Sequence, residues 1–476
     1  MLINYLVLGT AGWIALIRPL YGIGLLLLLE ESIFFLGSKY AFVDLPIGHA
    51  SPMDILPICI LVGAFIRSRR ARTACLRMPT PRFAVRPLLC QAVVPYVAWT
   101  AACSVVGLAL GASEASFTVA LRNVLITLAP WTLVPAVWLL RDESRAILRL
   151  MLVTAVITAL VHLVITVFDI RSVMMTAYYE GDMLAPVSRW RATQMLRSGV
   201  PRSWPQGTPL IIFSFVFLSA RMIVNSARTK TADIAFAAIL LCSLTVTVTR
   251  SFLGLSAIGV LISLLLAHST GLLTARLLVR SSVVILVVGT LGAGVVLLRS
   301  DYADFWLERL NKFSEDGRIF SPDNERGLNN LGALAAIEDR PILGYGVHDY
   351  PDRFARGSSG AVGGYHNDIH PLLGVCLSGG VFALVLFLRL HWLILSRCIR
   401  AHRSQRSLAR HTLPYVTLVA LNLVTNSVGA GGTTEGRGLA VAALFFGLLG
   451  AEIAHTLQLG RLAYVGGLTP RTAGEV

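Results

Sequence analysis

Apolar and polar residues alternate along this chain in long blocks rather than residue by residue. Apolar runs fall at 5–17, 20–37, 53–66, 87–111, 121–140, 146–168, 207–224, 232–249, 251–267, 281–298, 371–395, 412–430 and 439–457. Most approach the ~20 residues that a helix needs to cross ~30 Å of hydrocarbon. The pattern predicts an all-α polytopic membrane protein with about 12 (12–13) transmembrane helices. The count turns on the first two runs, because Arg18-Pro19 separates a run of 13 residues, short for a span, from a longer one. That first segment is open to a tilted, re-entrant or interfacial reading. No charge precedes Arg18, so the cationic start of a cleavable signal peptide is missing and the segment is expected to stay.

The polar blocks set sidedness. Residues 67–86, RSRRARTACLRMPTPRFAVR, hold seven Arg and no acid, and 396–411, SRCIRAHRSQRSLARH, hold five Arg and no acid. Both are expected as loops on the cytoplasmic side. Counting spans from the first anchor puts 169–206 and 299–370 outside and returns 396–411 inside, so the two anchors agree.

Segment 299–370 departs from its surroundings, with 12 of the chain's 26 acids. Its Phe305, Trp306, Leu307, Ile337, Ile342, Leu343 and Tyr345 give it enough apolar surface to fold, as short helices against the membrane face. A connection this long is usually functional or disordered. The chain therefore divides into an N-terminal transmembrane bundle over 1–298, an outer loop domain over 299–370 carrying the candidate chemistry, and C-terminal transmembrane helices with a cytoplasmic tail over 371–476.

Composition agrees with the membrane reading and narrows the rest. The chain is 55% apolar and 14% charged, with a mean hydropathy of +0.70. Its net charge is +15, and all but Lys39, Lys230 and Lys312 of its 41 basic residues are Arg. Such basicity suggests nucleic acid, but these Arg residues cluster in short stretches between apolar runs, so membrane topology accounts for the excess and no nucleic-acid role is expected. Seven scattered cysteines without C-x-x-C indicate neither a disulfide framework nor a zinc site. The absence of G-x-x-x-x-G-K-[ST], H-E-x-x-H, G-x-S-x-G and D-x-D speaks against an ATPase or a nucleotide-sugar transferase.

What remains is a set of polar residues on the predicted outer side. Arg250, in TVTRSFLGL, stands between two apolar runs with no polar loop to hold it; a charge there is costly and reads either as functional or as a snorkelling helix-end Arg. Arg202, in PRSWPQGTP, closes the preceding outer loop beside Trp204, where an ordinary interfacial Arg is the competing reading. Arg326 opens an amphipathic helix with an expected apolar face of Leu328, Leu331, Leu334, Ala335 and Ile337, ending before Pro341. Arg340 follows that helix, and Gly344 and Gly346 permit a tight turn. His366 and Asn367 stand just before a long span, beside Gly363-Gly364, with Asp368 as the expected N-cap. His366, Asp368 and His370 also read as H-x-D-x-H, a possible divalent-cation chelate. Alternate spacing suits a strand, however, and Pro371 starts a helix directly afterwards. No metal is assigned, and His370 is expected as a polar cap.

In order, these motifs are similar to those of the O-antigen ligase and polysaccharide polymerase family of bacterial membrane glycosyltransferases. The resemblance rests on Thr249-Arg250, on Arg326 followed by a helix and Pro341-x-x-Gly344-x-Gly346, and on His366-Asn367 before a span carrying Gly379-Gly380. Arg202 before Gly207-Thr-Pro209 is similar too. Departures are Asn330 where an aromatic is common and the lack of an acid before the glycine pair.

The resemblance implies a C-type glycosyltransferase architecture in the bacterial inner (cytoplasmic) membrane, with an active site facing the periplasm. It implies transfer of a glycan from undecaprenyl diphosphate to a hydroxyl on lipid A core or on a lipid-linked glycan. Arg250 and Arg326 would hold the diphosphate with help from Arg202, since Arg offers planar bidentate contacts to phosphate. His366 would act as general base, with Asn367 orienting it or the sugar, and Arg340, Gly344 and Gly346 are expected at the substrate site. The energy already resides in the diphosphate ester, so neither a metal nor another cofactor is required. The alternative is a glycolipid or ion transporter with Arg250 lining a pathway, which has little use for a polar domain on one side.

Overall fold

The computed structural model describes residues 2–31, 43–45, 48–50, 52–74, 85–109, 124–125, 127–167, 207–225, 230–247, 250–273, 325–346, 354, 369–427 and 436–465. These are helical nearly throughout, with one small antiparallel hairpin, β1 (Val43–Leu45) against β2 (Gly48–Ala50). The helices are α1 (Leu2–Ile17), α2 (Pro19–Leu26), α3 (Pro52–Ala74), α4 (Val85–Ala109), α5 (Leu133–Leu139), α6 (Ser144–Val167), α7 (Thr208–Val224), α8 (Thr231–Val246), α9 (Arg250–Ser269), α10 (Glu325–Asp339), α11 (Pro371–Ser404), α12 (Arg406–Ser427) and α13 (Gly436–Val465). Among the described residues, four stretches are long and apolar enough to cross a membrane: Arg141–Val164, Ser251–Ser269, Pro371–Arg403 and Gly438–Thr456. Shorter apolar helices accompany them, among them Tyr5–Ile17, Gln91–Gly107 and Thr208–Val224.

Helix α7 forms the centre. Its sequence, TPLIIFSFVFLSARMIV, is apolar on every side, and a helix of that kind is buried rather than half-exposed. It packs against α6, α8, α9, α12 and α13. Phe213 stacks on Phe445 with ring centroids 5.9 Å apart, and Phe217 meets Tyr415 at 4.9 Å. Small residues allow close crossings: a Cβ at Gly259 of α9 would lie 2.5 Å from Val216, and one at Gly447 of α13 would lie 2.7 Å from Val137. Buried polar pairs tie helices together in the manner expected where hydrophobic driving force is weak. His162 meets Ser243 at 2.9 Å, and His391 meets Asn422 at 2.9 Å.

Several expected boundaries move. The chain reverses sharply at Arg18-Pro19, bringing Gly22 of α2 against Ala15 of α1, where a Cβ would lie only 2.6 Å from the alanine methyl. The predicted Arg-rich loops are substantially helical: α3 carries Arg67, Arg69, Arg70 and Arg72 on its last turns, and 396–411 is helix except at Gln405, between α11 and α12. Arg is a good helix former, and a helix leaving an apolar region continues where side chains reach water. The run at 121–140 yields a 3₁₀ turn (Ala129–Thr132) and short α5, and the run at 20–37 passes from α2 into a π turn at Leu27–Glu31. The run at 281–298 lies outside the described residues.

The bundle has two distinguishable ends. At one, His411 of α12 approaches Glu452 of α13 at 3.7 Å, and Ala409 and Leu413 pack with Ile223, Val224 and Leu272. Arg397 near the end of α11 donates to Gln91 near the start of α4 at 2.9 Å. The stretch between α11 and α12 and the start of α4 therefore sit together at this cationic end. It follows that α7, α9 and α11 begin at the opposite end, where α12 finishes.

Candidate functional site

The opposite end is organised around a break in α11. At Gly379 (φ −163°, ψ 26°) and Gly380 (φ 69°, ψ −173°) the helix is interrupted, so the usual bond from the Val381 N–H back to the Leu377 carbonyl is lost. The turn after α10 replaces it. The Tyr345 N–H donates to the Leu377 carbonyl at 2.7 Å, and the Val381 N–H donates to the Pro341 carbonyl at 2.8 Å. Residues 341 and 345 are themselves four apart, so two segments exchange partners and all four groups stay paired. Trp99 of α4 completes the break: its indole N–H donates to the Gly379 carbonyl at 2.8 Å. Interrupted backbone in an apolar setting is tolerated where protein satisfies it.

Two glycines make this fit possible. Gly380 has a positive φ, and a Cβ there would lie 2.0 Å from the Ile342 carbonyl oxygen. Gly344 has φ +62°, and a Cβ there would lie 2.3 Å from the Leu377 carbonyl oxygen. The P-x-x-G-x-G turn and the Gly-Gly pair, predicted as separate motifs, are thus two halves of one contact.

Helix α10 meets α11 through a face that overlaps the expected one only at Ile337, which packs on the shared cluster with Ala333 and Ala336. Gly327, Asn329, Asn330, Gly332, Ala333 and Ala336 are buried, whereas Leu328, Leu331, Leu334 and Ala335 are only partly covered. Spacing three apart aligns small residues for a close approach, and close approach outweighs leucine burial here. Asn330 is fully buried and its Oδ1 accepts from the His370 N–H at 2.8 Å. An aromatic at that position could not make this contact.

His370, not Asp368, caps α11: its Nδ1 accepts from the Leu372 N–H at 3.3 Å while Nε2 lies 3.2 Å from the Ser427 carbonyl. These partners suit the tautomer protonated on Nε2. His370 therefore joins α10, α11 and the end of α12.

Tyr345 is fully buried with Ala333, Ala336 and Leu377, and Phe354, Ile369 and Leu373 pack on that cluster. Its hydroxyl donates to Asp339 at 2.5 Å. The Arg340 guanidinium lies 4.7 Å above the Tyr345 ring and its Nε is 3.9 Å from Asp339, with a third of the side chain exposed. A stacked, braced guanidinium keeps its planar fork ready for an anion. Tyr345, Phe354 and Ile369 thus meet in one cluster, while the remainder of 347–368, with His366 and Asn367, lies outside the described residues.

Of the residues expected from sequence, Arg340 and Gly344 lie at this break, and Gly346 is also at positive φ. Arg250 is the first residue of α9 and Arg326 the second of α10; Arg250 therefore begins at the same end of the bundle, while the side chains of both lie outside the described residues, as do Arg202, His366, Asn367 and Asp368. Trp99, Asn330 and Tyr345 were not singled out for their roles here. Asn329-Asn330 inside an apolar helix was the available signal for Asn330, since a buried amide requires a partner; Trp99 is too distant in sequence to have given one. No family model, curated protein or solved structure matches the chain.

Proposed function

We propose that this protein is a membrane glycosyltransferase of the O-antigen ligase or polysaccharide polymerase type, with twelve or thirteen spans and its site on the outer face of a bacterial inner membrane. One observation supports the reading most: the P-x-x-G-x-G turn and the Gly-Gly pair, two elements of the resemblance far apart in sequence, interlock in a single hydrogen-bonded contact. Tyr345 and Ile369, which border the stretch carrying His366-Asn367, pack in the same cluster beside that contact.

In this reading Arg250 and Arg326 bind the diphosphate of an undecaprenyl-linked glycan, assisted by Arg202 and Arg340. Fixed cations at the point where the diphosphate leaves stabilise the charge that develops there. His366 removes the proton from the acceptor hydroxyl as that oxygen attacks the anomeric carbon, and the bond to the diphosphate breaks. If this is one in-line displacement, the anomeric configuration inverts. Asn367 orients the base or the sugar. The acceptor is lipid A core for a ligase and a lipid-linked repeat for a polymerase.

The test is transfer from a lipid-linked glycan by purified wild-type protein and by folded His366→Ala and Arg326→Ala variants. Loss of ~10²-fold or more in each is expected, the range for a general base or a lost transition-state contact. Wild-type turnover by either variant removes that residue from the chemistry. Glycolipid crossing the bilayer in proteoliposomes without a new glycosidic bond would instead establish a transporter. In cells lacking the protein, single-repeat surface glycan indicates a lost polymerase, and long polymer retained on its carrier indicates a lost ligase.

A further inference from the structure

The four backbone groups at the break have two ways to pair. In the structure they cross between segments, Tyr345 to Leu377 and Val381 to Pro341. The alternative is internal pairing, 381 to 377 within a continuous α11 and 345 to 341 within a turn that extends α10. The number of bonds is the same, so exchange alone gives little preference for either.

Trp99 breaks that degeneracy. Its indole N–H has the Gly379 carbonyl as acceptor while the break stands; in a continuous helix that carbonyl points along the axis to residue 383. The ring also covers Gly379, where a Cβ would lie 3.2 Å from the indole Cδ1 and Nε1, and Phe382 braces it edge-on at 4.8 Å. We infer that Trp99 is a positioning residue, which holds the crossed arrangement and thereby the register of the first segment of α11, residues 371–378, against α10. Its link to catalysis rests on the glycosyltransferase reading, because Tyr345 and Ile369, which border the stretch carrying His366, pack with that first segment and α10.

Full-length Trp99→Phe in lipid nanodiscs tests this with two independent readouts. Amide hydrogen exchange comes first and needs no assumption about activity. Peptides covering 341–346 and 378–383 are expected to exchange roughly fivefold to tenfold faster, the loss of one hydrogen bond, while peptides within 385–404 are unchanged. Unchanged exchange at the break, or a uniform rise across all helices, overturns the inference. Transfer kinetics come second: kcat falls by roughly the same factor with KM within about twofold, and wild-type kcat overturns the positioning role. If the wild-type protein transfers no glycan, the enzymatic reading fails while the exchange data still decide whether Trp99 holds the break. Should Trp99→Phe not fold, benzothienylalanine at position 99 keeps the bicyclic ring without the N–H and carries the same expectations.

Discussion

The two ends of the bundle solve backbone pairing in opposite ways. At the cationic end, α11 runs on to Ser404 and α12 resumes at Arg406, so the helices satisfy nearly all their own backbone groups and their Arg side chains reach outward. At the other end, α11 is broken at Gly379-Gly380 and its freed groups are met by residues 32 and 40 positions earlier in the chain and by Trp99. Charge placed on a continuous helix asks little of its neighbours. A broken helix requires a partner of fixed shape, and substitutions there are correspondingly expensive.

Gly380→Val is the strongest way to probe that contrast. A β-branched residue at φ 69° beside the Ile342 carbonyl is incompatible with the docked turn. Glycan transfer is expected to fall to background, and thermal unfolding in detergent to report a loss of at least ~2–3 kcal/mol. Wild-type transfer by this variant would show that the docked turn is dispensable.

Asn330→Leu comes next, because it leaves the buried His370 N–H without its acceptor. A cost of about 1–3 kcal/mol follows from an unpaired buried donor, read as a lowered midpoint of thermal unfolding. Faster amide exchange at His370 in this variant, with the rest of α11 unchanged, separates loss of this bond from a simple packing defect.

Tyr345→Phe removes the hydroxyl bond to Asp339 and keeps the ring beneath Arg340. The expected cost is about 1 kcal/mol, with transfer reduced less than by Tyr345→Leu, which also removes the stacking surface. Equal activities in the two variants would show that the ring contributes nothing to holding Arg340.

The smallest effect is expected at the cationic end. Arg400→Gln, at a partly exposed helical position whose Nε donates to the Ser396 carbonyl one turn back, should leave unfolding and transfer nearly unchanged. A loss there comparable to that of Gly380→Val would erase the distinction between the ends. Removing all of Arg397, Arg400, Arg403, Arg406 and Arg410 should instead alter orientation, measured by cysteine labelling from either side in membrane vesicles.

Much of the fold was legible because apolar run length and Arg placement act locally. A block of Leu, Val, Ile and Ala becomes a helix in an apolar setting wherever it stands, and the Arg residues of 396–411 cluster where α11 passes into α12. Boundaries were harder to read, since Arg-rich sequence is compatible with both loop and helix, and the length of a run does not show that Arg18-Pro19 reverses the chain. The candidate site was legible as motifs and not as an assembly. Pro341, Gly344, Gly379 and Gly380 announced turns and breaks, but nothing local stated that one fills the other.

By itself, then, the sequence determined an apolar helical protein and the positions of its Arg-rich stretches and Gly-Pro breaks along the chain. Only the tertiary structure decided that α10 packs through Ala333, Ala336 and Ile337, that Asn330 meets the His370 N–H, and that Trp99 closes the break. The reason is physical: helix formation depends on neighbours within four residues, whereas a broken hydrogen-bond ladder is stable only with donors and acceptors that the fold brings from elsewhere in the chain.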